Sequence, residues 1–473
     1  MPPHPVVSAE IYVIPLETGR YIIYAPLRKA AFVGNARVVN FLAGLKEGNY
    51  DATLDADGST TEFLRRLEIL DAGPEQQPEA VFSDTHDPVS LTLFLTTACN
   101  LRCTYCYAAA GDGPVRSMSL ETALRGVDFI VQNSLKRRTG FIDINFHGGG
   151  EPTQNWRVLT GAHDHARRLA DQHGLKLTCY TATNAVFSDK QLDWIVAHLQ
   201  GASVSFDGLP EAHDTHRISA NGKGSSERVM HTLRRFDEAG FSYGIRMTVT
   251  ADMIARLPDS IEFICSRFRP GQIQAEPAYQ IGRWAGAPSA ETDAFIAAFR
   301  EAQSRAKKHG CEVTFSAART GTLTNHFCGA TQDLFALTPD GTASACYEVF
   351  DEANPRAKIF LYGNADSDGA WKFDMEKLAF LRSHSVDKRD YCEGCFARWT
   401  CGGDCLHKAL TVCGDDGFSG TDRCNIIREL TKDQILARIA EAGGVCWHGL
   451  PGDDEEGSTC PNCNEMETKE SEA

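Results

Sequence analysis

Near its start the chain alternates apolar and polar positions with a short period, and soon after with a longer one. Glu10-Ile-Tyr-Val-Ile-Pro15 and Tyr21-Ile-Ile-Tyr24 are β-rich runs separated by a turn at Gly19, which predicts two short strands. In 36–45 and 60–70 the apolar residues return at helical spacing, which predicts two helices. From about Pro88 to Ala306 the two periods take turns. Strands are predicted at 91–96, 141–147, 175–181, 202–206, 243–250 and 272–277, with helices between them, as at 120–134 and 190–198. Six such units predict an α/β fold, a parallel sheet curling into a partial (β/α)6 TIM-like barrel. Functional residues of such barrels gather at the C-terminal ends of the strands. From about His309 to Ala440 periodicity fades and cysteines crowd together, so this stretch is expected to lack a large apolar core and to be organised by metal ligation.

These changes of pattern divide the chain into 1–85, a small winged-helix-like module; 86–306, the barrel; 307–440, the cysteine-dense region; and 441–473, a cysteine-containing acidic tail, expected to be disordered after Gly452. A Pro-, Gln- and acid-rich segment, 72–86, is the expected linker. The length of 473 residues suits two to four domains. Hydrophobic residues make up 42% and charged residues 23%, the balance of a soluble globular protein. No apolar run is long enough to span a membrane, and the N-terminus lacks a basic-then-apolar signal pattern, so a cytoplasmic location is expected. A formal charge of −16 argues against a nucleic-acid partner, because phosphate binding needs a basic footprint. Seventeen cysteines without an export signal argue for ligation rather than disulfides.

Three of those cysteines, Cys99, Cys103 and Cys106, follow the first barrel strand in Cys-Asn-Leu-Arg-Cys-Thr-Tyr-Cys-Tyr, a C-x3-C-x2-C spacing. Three thiolates on one loop can hold three irons of a [4Fe–4S] cube and leave the fourth without a protein ligand. Zinc prefers paired C-x2-C spacings and needs a fourth ligand. The motif resembles the cluster loop of radical S-adenosylmethionine (radical SAM) enzymes. That resemblance implies that the open iron chelates the amino and carboxylate groups of SAM, and that an electron from the cluster yields a 5'-deoxyadenosyl radical.

Further motifs fall at the predicted strand ends. Phe146-His-Gly-Gly-Gly-Glu-Pro-Thr153 resembles the family's Gly-Gly-Glu-Pro element, in which Gly148, Gly149 and Gly150 admit close backbone approach and Glu151 meets the SAM amino group. Asn184 and Ser205 resemble residues that line the SAM pocket, although a glycine is common in the family where Ala185 stands. Asp207, just before Gly208, is alternatively a turn residue. Arg217 and Arg246 are the cationic candidates for the SAM carboxylate, Arg246 the better, and an ion pair is the alternative for either. Tyr105 and Tyr107 flank the last cysteine, where an aromatic ring can stack on adenine or pack into the core.

The second cysteine field reads C-x12-G-x4-C … C-x2-C-x5-C-x3-C-x18-C, over Cys328, Cys346, Cys392, Cys395, Cys401, Cys405 and Cys424. It resembles the SPASM extension of radical SAM enzymes, with a last gap one residue longer than usual. The resemblance implies two auxiliary iron–sulfur clusters, one on Cys392, Cys395, Cys401 and Cys424, the other on Cys328, Cys346 and Cys405. For the fourth position of the latter, Cys311, Cys413 or no protein ligand are the options, the last leaving an iron open to a substrate thiolate. A pair of structural zinc sites is the alternative. Cys446, Cys460 and Cys463, with His448 nearby, stay unassigned.

Radical SAM enzymes with SPASM domains commonly modify peptides, and the N-terminal module resembles a leader-peptide recognition element, where an extended peptide adds to a sheet edge; an ordinary cap on the barrel is the alternative. Abstraction of a side-chain hydrogen and formation of a C–S bond would also require a base. Asp404, in Cys401-Gly-Gly-Asp-Cys405, and Glu348, beside Cys346, are the candidates, each against the reading of a solvated loop acid. The expectation is a maturase forming intrapeptidyl thioether links in a ribosomally made peptide or small protein, probed against formylglycine formation and C–C cross-linking. Its partners are a cysteine-rich peptide with a leader segment and a flavodoxin or ferredoxin-type reductant. Non-enzyme readings are an iron–sulfur electron carrier, which would need no SAM pocket, and a zinc-bearing peptide-binding module.

Overall fold

The computed structural model describes residues 4–447 apart from Thr18, Pro288, 367–368 and 415–417. The N-terminal strands β1 (Tyr12–Pro15) and β2 (Tyr21–Ala25) form an antiparallel hairpin. A further strand, β3 (Ala30–Gly34), pairs with β2 before the two helices Ala36–Lys46 and Ser59–Arg66. The sequence pattern had not marked β3, because an apolar run as short as Ala-Ala-Phe-Val carries no period of its own.

The six expected barrel strands form. They are β4 (Ser90–Phe94), β5 (Phe141–His147), β6 (Lys176–Thr183), β7 (Gly201–Ser205), β8 (Tyr243–Val249) and β9 (Ile273–Pro277). Each pairs in parallel with the next, and β4 does not pair with β9, so the barrel is partial. Ile142, Ile144 and Phe146 of β5 are buried in one core with Val127, Ile130 and Leu159 of the flanking helices. The intervening Asp143, Asn145 and His147 occupy the other face of the sheet. In β8 the same alternation buries Ile245 and Met247 and leaves Arg246 on the polar face.

Beyond β9 the sheet gains β10 (Val313–Thr314). On the β4 side it continues through β11 (Ala336–Leu337), β12 (Ala343–Ser344), β13 (Leu361–Ala365) and β14 (Trp371–Phe373). This corrects the expectation that 307–440 lacks an apolar core. Phe335, Leu337, Val349, Phe360, Tyr362, Leu378, Leu406, Ile426 and Leu430 join the barrel core. They come from many short elements, so no single window shows a period, and they meet only because β11 pairs with β4. The helix Asp422–Glu441 closes this region and leads to β15 (Val445–Trp447), which pairs antiparallel with β3. The segment after 441 therefore begins as the fourth strand of the N-terminal sheet, and the expected disordered tail lies outside the described residues. No helix of the described residues is long and apolar enough to cross a membrane.

Candidate functional site

The chain leaves β4 at Phe94 and enters the cysteine loop beside the C-terminal end of β5, where Phe94 pairs with His147. Cys99, Cys103 and Cys106 are half-buried and mutually close, since Cys103 and Cys106 act on the Cys99 thiol. Cys99 Sγ accepts from the Leu101 amide at 3.4 Å and from Asn184 Nδ2 at 3.7 Å. Burial pushes the Cys99 thiol up to about 12 and Cys103 up to about 11, the latter against the pull of Arg217. Such thiols ionise when a metal takes the proton's place. Arg283 clamps the loop from the segment after β9. Its guanidinium donates to the Cys103 carbonyl at 2.9 Å and the Ala110 carbonyl at 2.6 Å, and its amide donates to the Cys106 carbonyl at 3.0 Å. Gly282 permits that approach: at φ +60°, a Cβ there would lie 2.3 Å from the Cys106 oxygen.

The glycine run after β5 packs against the same loop. The Gly150 amide donates to the Thr96 carbonyl at 3.0 Å and the Glu151 amide to the Ala98 carbonyl at 2.8 Å. A Cβ on Gly150 would sit 2.1 Å from the Ala98 oxygen, and one on Gly149 would sit 2.7 Å from the Phe350 ring. Glu151 is 2% exposed. Its Oε1 accepts from the Thr153 amide (3.2 Å), Thr153 Oγ1 (2.9 Å) and Thr183 Oγ1 (2.8 Å), and its Oε2 from the Asn184 amide (2.8 Å). Among the described residues no lysine or arginine pairs with it, and burial keeps its pKa raised despite these donors. A buried, oriented carboxylate without a cation fits an ammonium ligand. Asn184 is held by Asn100 Oδ1 at 2.8 Å, and Ala185 adopts φ +58°, the left-handed conformation that suits the glycine usual there.

Of the two arginines, Arg217 makes the buried ion pair that was the alternative for it. Its Nε and Nη2 hold buried Asp207 at 2.9 and 3.3 Å. Asp207 also accepts from the Tyr105 hydroxyl and from the Thr248 amide at 3.1 Å, so it is an ion-pair partner rather than a simple turn residue. Tyr105 is thereby tied down, with the Arg217 guanidinium 5.2 Å from its ring centre. Three groups from the cluster loop, β7 and its following helix thus lock together beneath the cysteines. Asp207→Ala leaves Arg217 buried without its partner and is expected to destabilise the chain by about 3–5 kcal/mol, measurable by denaturant unfolding of the metal-free protein. Arg246 stands opposite half-buried Ser205 in the sheet register. It donates to Gln274 Oε1 at 3.2 Å, makes no ion pair among the described residues, and acts on His147, Glu276 and Glu348. Tyr107 donates its hydroxyl to the Gly148 carbonyl at 2.9 Å.

The remaining cysteines form two sets. Cys392 is close to Cys395 and Cys424, and Cys401 to the same two. These four thiols bound a cavity that also touches Asp404 and Phe418. Cys346 is close to Cys405 and Cys328, and Cys405 to Cys328. Among the described residues no three His, Cys, Asp or Glu side chains converge on one ion position. Cys311 is not with the second set. It lies just before β10, at the N-terminal end of the strands, beside the free Cys265 thiol. Cys413 is also elsewhere, donating to the Gly420 carbonyl at 3.4 Å. Cys446 lies in β15, and His448, Cys460 and Cys463 lie outside the described residues.

Residues 93–263, which carry the triad, Glu151, Asn184 and Ser205, match the model of the Radical SAM superfamily. This is a radical SAM domain. Similar proteins include the sporulation killing factor maturation protein SkfB of Bacillus subtilis, 28% identical over 187 residues. That match covers 38% of this chain and 40% of SkfB. The mycofactocin maturase MftC of Mycobacterium tuberculosis is 24% identical over 336 residues, 67% of this chain and 78% of its own. The fold is similar to that of anSMEcpe with bound AdoMet (TM-score 0.61, 16% identity, 75% of this chain and 96% of that one). It is also similar to SuiB of Streptococcus suis bound to the precursor peptide SuiA (TM-score 0.51, 13% identity, 88% and 99%).

In the radical SAM domain Gly150→Ala should push the cluster loop away from Glu151. SAM should then no longer perturb the spectrum of the reconstituted protein. Gly148→Ala, with nothing nearer its Cβ than 3.3 Å, should be much milder.

One short segment links the domain to both outer cysteine sets. Gly402, Gly403 and Asp404 take φ values of +70°, +88° and +60° in succession. The turn sends Cys401 to one set and Cys405 to the other, and a Cβ on Gly402 would lie 2.5 Å from the His326 carbonyl carbon. Asp404 is 2% exposed and grips Arg423 Nε at 2.8 and 3.1 Å. Arg423 Nη1 bonds Glu276 Oε2 at 2.8 Å, at the end of β9. One guanidinium thus serves two buried carboxylates. Against the cost of burial, Arg423 and Lys408 hold Glu276 down at about 2, while burial, reinforced by Glu276, pushes Asp404 up to about 6. For Glu348 burial is outweighed by His407, Lys408 and Arg246, which keep it below the usual range. Sequence reasoning missed Arg283, Glu276 and Arg423. The usable signals were Glu276 at a strand end and Arg423 next to Cys424.

Proposed function

We propose that the chain is a radical SAM peptide maturase that forms intrapeptidyl thioether links between a cysteine sulfur and a side-chain carbon. SkfB and MftC, two of its relatives, are maturation proteins, and SuiB, a neighbour in fold, binds a precursor peptide. The observation that carries the thioether reading is Asp404: a buried carboxylate between two sets of cysteines, coupled to the barrel through Arg423 and Glu276. Cys99, Cys103 and Cys106 would hold the SAM cluster. Cys392, Cys395, Cys401 and Cys424 would hold one auxiliary cluster, and Cys328, Cys346 and Cys405 the other. When bound, SAM and the clusters supply the hydrogen-abstracting radical and a path for an electron.

The chain's own residues do the rest. Glu151 and Arg246 would orient the amino and carboxylate groups of SAM, with Asn184 and Ser205 lining its pocket. Asp404 would take the proton of the incoming thiol, a task suited to a carboxyl near 6 and not to the more acidic Glu348. The sheet β1–β2–β3 would receive the leader segment. With β3 already paired to β15, the open edge is β1, where Val13 is 41% exposed. A small cysteine-rich protein is the substrate class, and the small subunit of quinohemoprotein amine dehydrogenase is the specific candidate. A flavodoxin or ferredoxin-type protein would deliver electrons.

The test is incubation of the reconstituted, reduced enzyme with SAM and candidate peptides. Thioether formation removes two hydrogens per link and consumes cysteine thiols. Unchanged thiols after turnover sink the reading, and an aldehyde without a link points to formylglycine formation instead.

A further inference from the structure

Among the described residues the set Cys328, Cys346 and Cys405 has no fourth cysteine, because Cys311 and Cys413 lie elsewhere. Another donor stands beside it. Glu348 is two residues past Cys346, and its charge acts on all three thiols. Its Oε2 is closed off from solvent and has no hydrogen-bond partner. His407 Nδ1 lies 2.8 Å away in ion-pair contact, though out of line for a hydrogen bond. Asp404 also acts on Cys328 and Cys405, yet its carboxylate already has a cation, Arg423. Among the described residues only the His407 ring meets this carboxylate, so it keeps lone pairs that a metal cation can take.

We propose that Glu348 is the fourth ligand of the cluster held by Cys328, Cys346 and Cys405. This rests on the reading of that set as an iron–sulfur site. The carboxylate oxygen binds the iron that the three thiolates leave free, and His407 fixes the carboxylate from behind as a positioning residue. The cluster is then closed: a substrate thiolate does not dock on it, and it serves electron transfer only. A hard oxygen donor in place of a fourth soft thiolate also sets its spectrum and potential apart from those of the four-cysteine cluster.

The test uses the full chain with Cys99, Cys103 and Cys106 all replaced by alanine, so that only the outer sites load. Anaerobic reconstitution should give about 8 irons per chain, two cubes. Glu348→Gln should lose about one of them and show the electron paramagnetic resonance signature of a three-iron cluster. Glu348→Cys should keep all the irons with a shifted spectrum. A Glu348→Gln chain with unchanged iron content and spectrum overturns the proposal, as does a Glu348→Cys chain that fails to keep the iron. Loss of the iron in His407→Gln but not in Glu348→Gln overturns it in favour of a nitrogen ligand. A parent chain holding only about 4 irons removes the cluster reading beneath it.

Discussion

Cys103→Ala is expected to abolish SAM cleavage, with 5'-deoxyadenosine falling to the detection limit. Cys103 is the middle thiol of the loop, and its carbonyl is also a seat for Arg283, so the backbone stays clamped when the sulfur is lost. The defect should therefore be one of ligation, not of folding. Iron content should fall by about 4 atoms while the outer sites keep theirs, because those cysteines lie in separate sets. A Cys103→Ala chain that still cleaves SAM at the parent rate would refute the assignment of the triad.

The second large effect separates two stages of the reaction. Asp404→Ala should leave SAM cleavage within about twofold and lower cross-linking by about 10²–10⁴-fold, the usual worth of a positioned general base. The geometry explains why the first stage survives. Arg423 keeps Glu276 as a partner when Asp404 is removed, so no unpaired charge is left in the interior. The measurement compares 5'-deoxyadenosine released with cross-linked peptide formed in the same reaction. Equal loss of both would end the case for Asp404 as a dedicated base.

The barrel was legible from periodicity because each strand buries one face beneath helices, so a local window carries the signal. β5 runs over 141–147 as expected. The region after β9 was misread for the opposite reason. Apart from those on the helix Asp422–Glu441, its apolar residues are divided among two- to five-residue strands and short helices, each too brief to show a period. The closeness of the cysteines within each motif was legible because thiols on one loop are brought together by local spacing.

What the amino-acid order determined by itself was local: the alternating elements, the cysteine spacings and the glycines that lie against the cluster loop. Tertiary structure alone decided the pairings between distant segments. It gave Arg217 to Asp207, took Cys311 to the far end of the strands, and joined Asp404 to Glu276 through one shared guanidinium. A charge finds its partner only after the chain has folded, since burial and proximity across a hundred residues leave no periodic trace in the sequence.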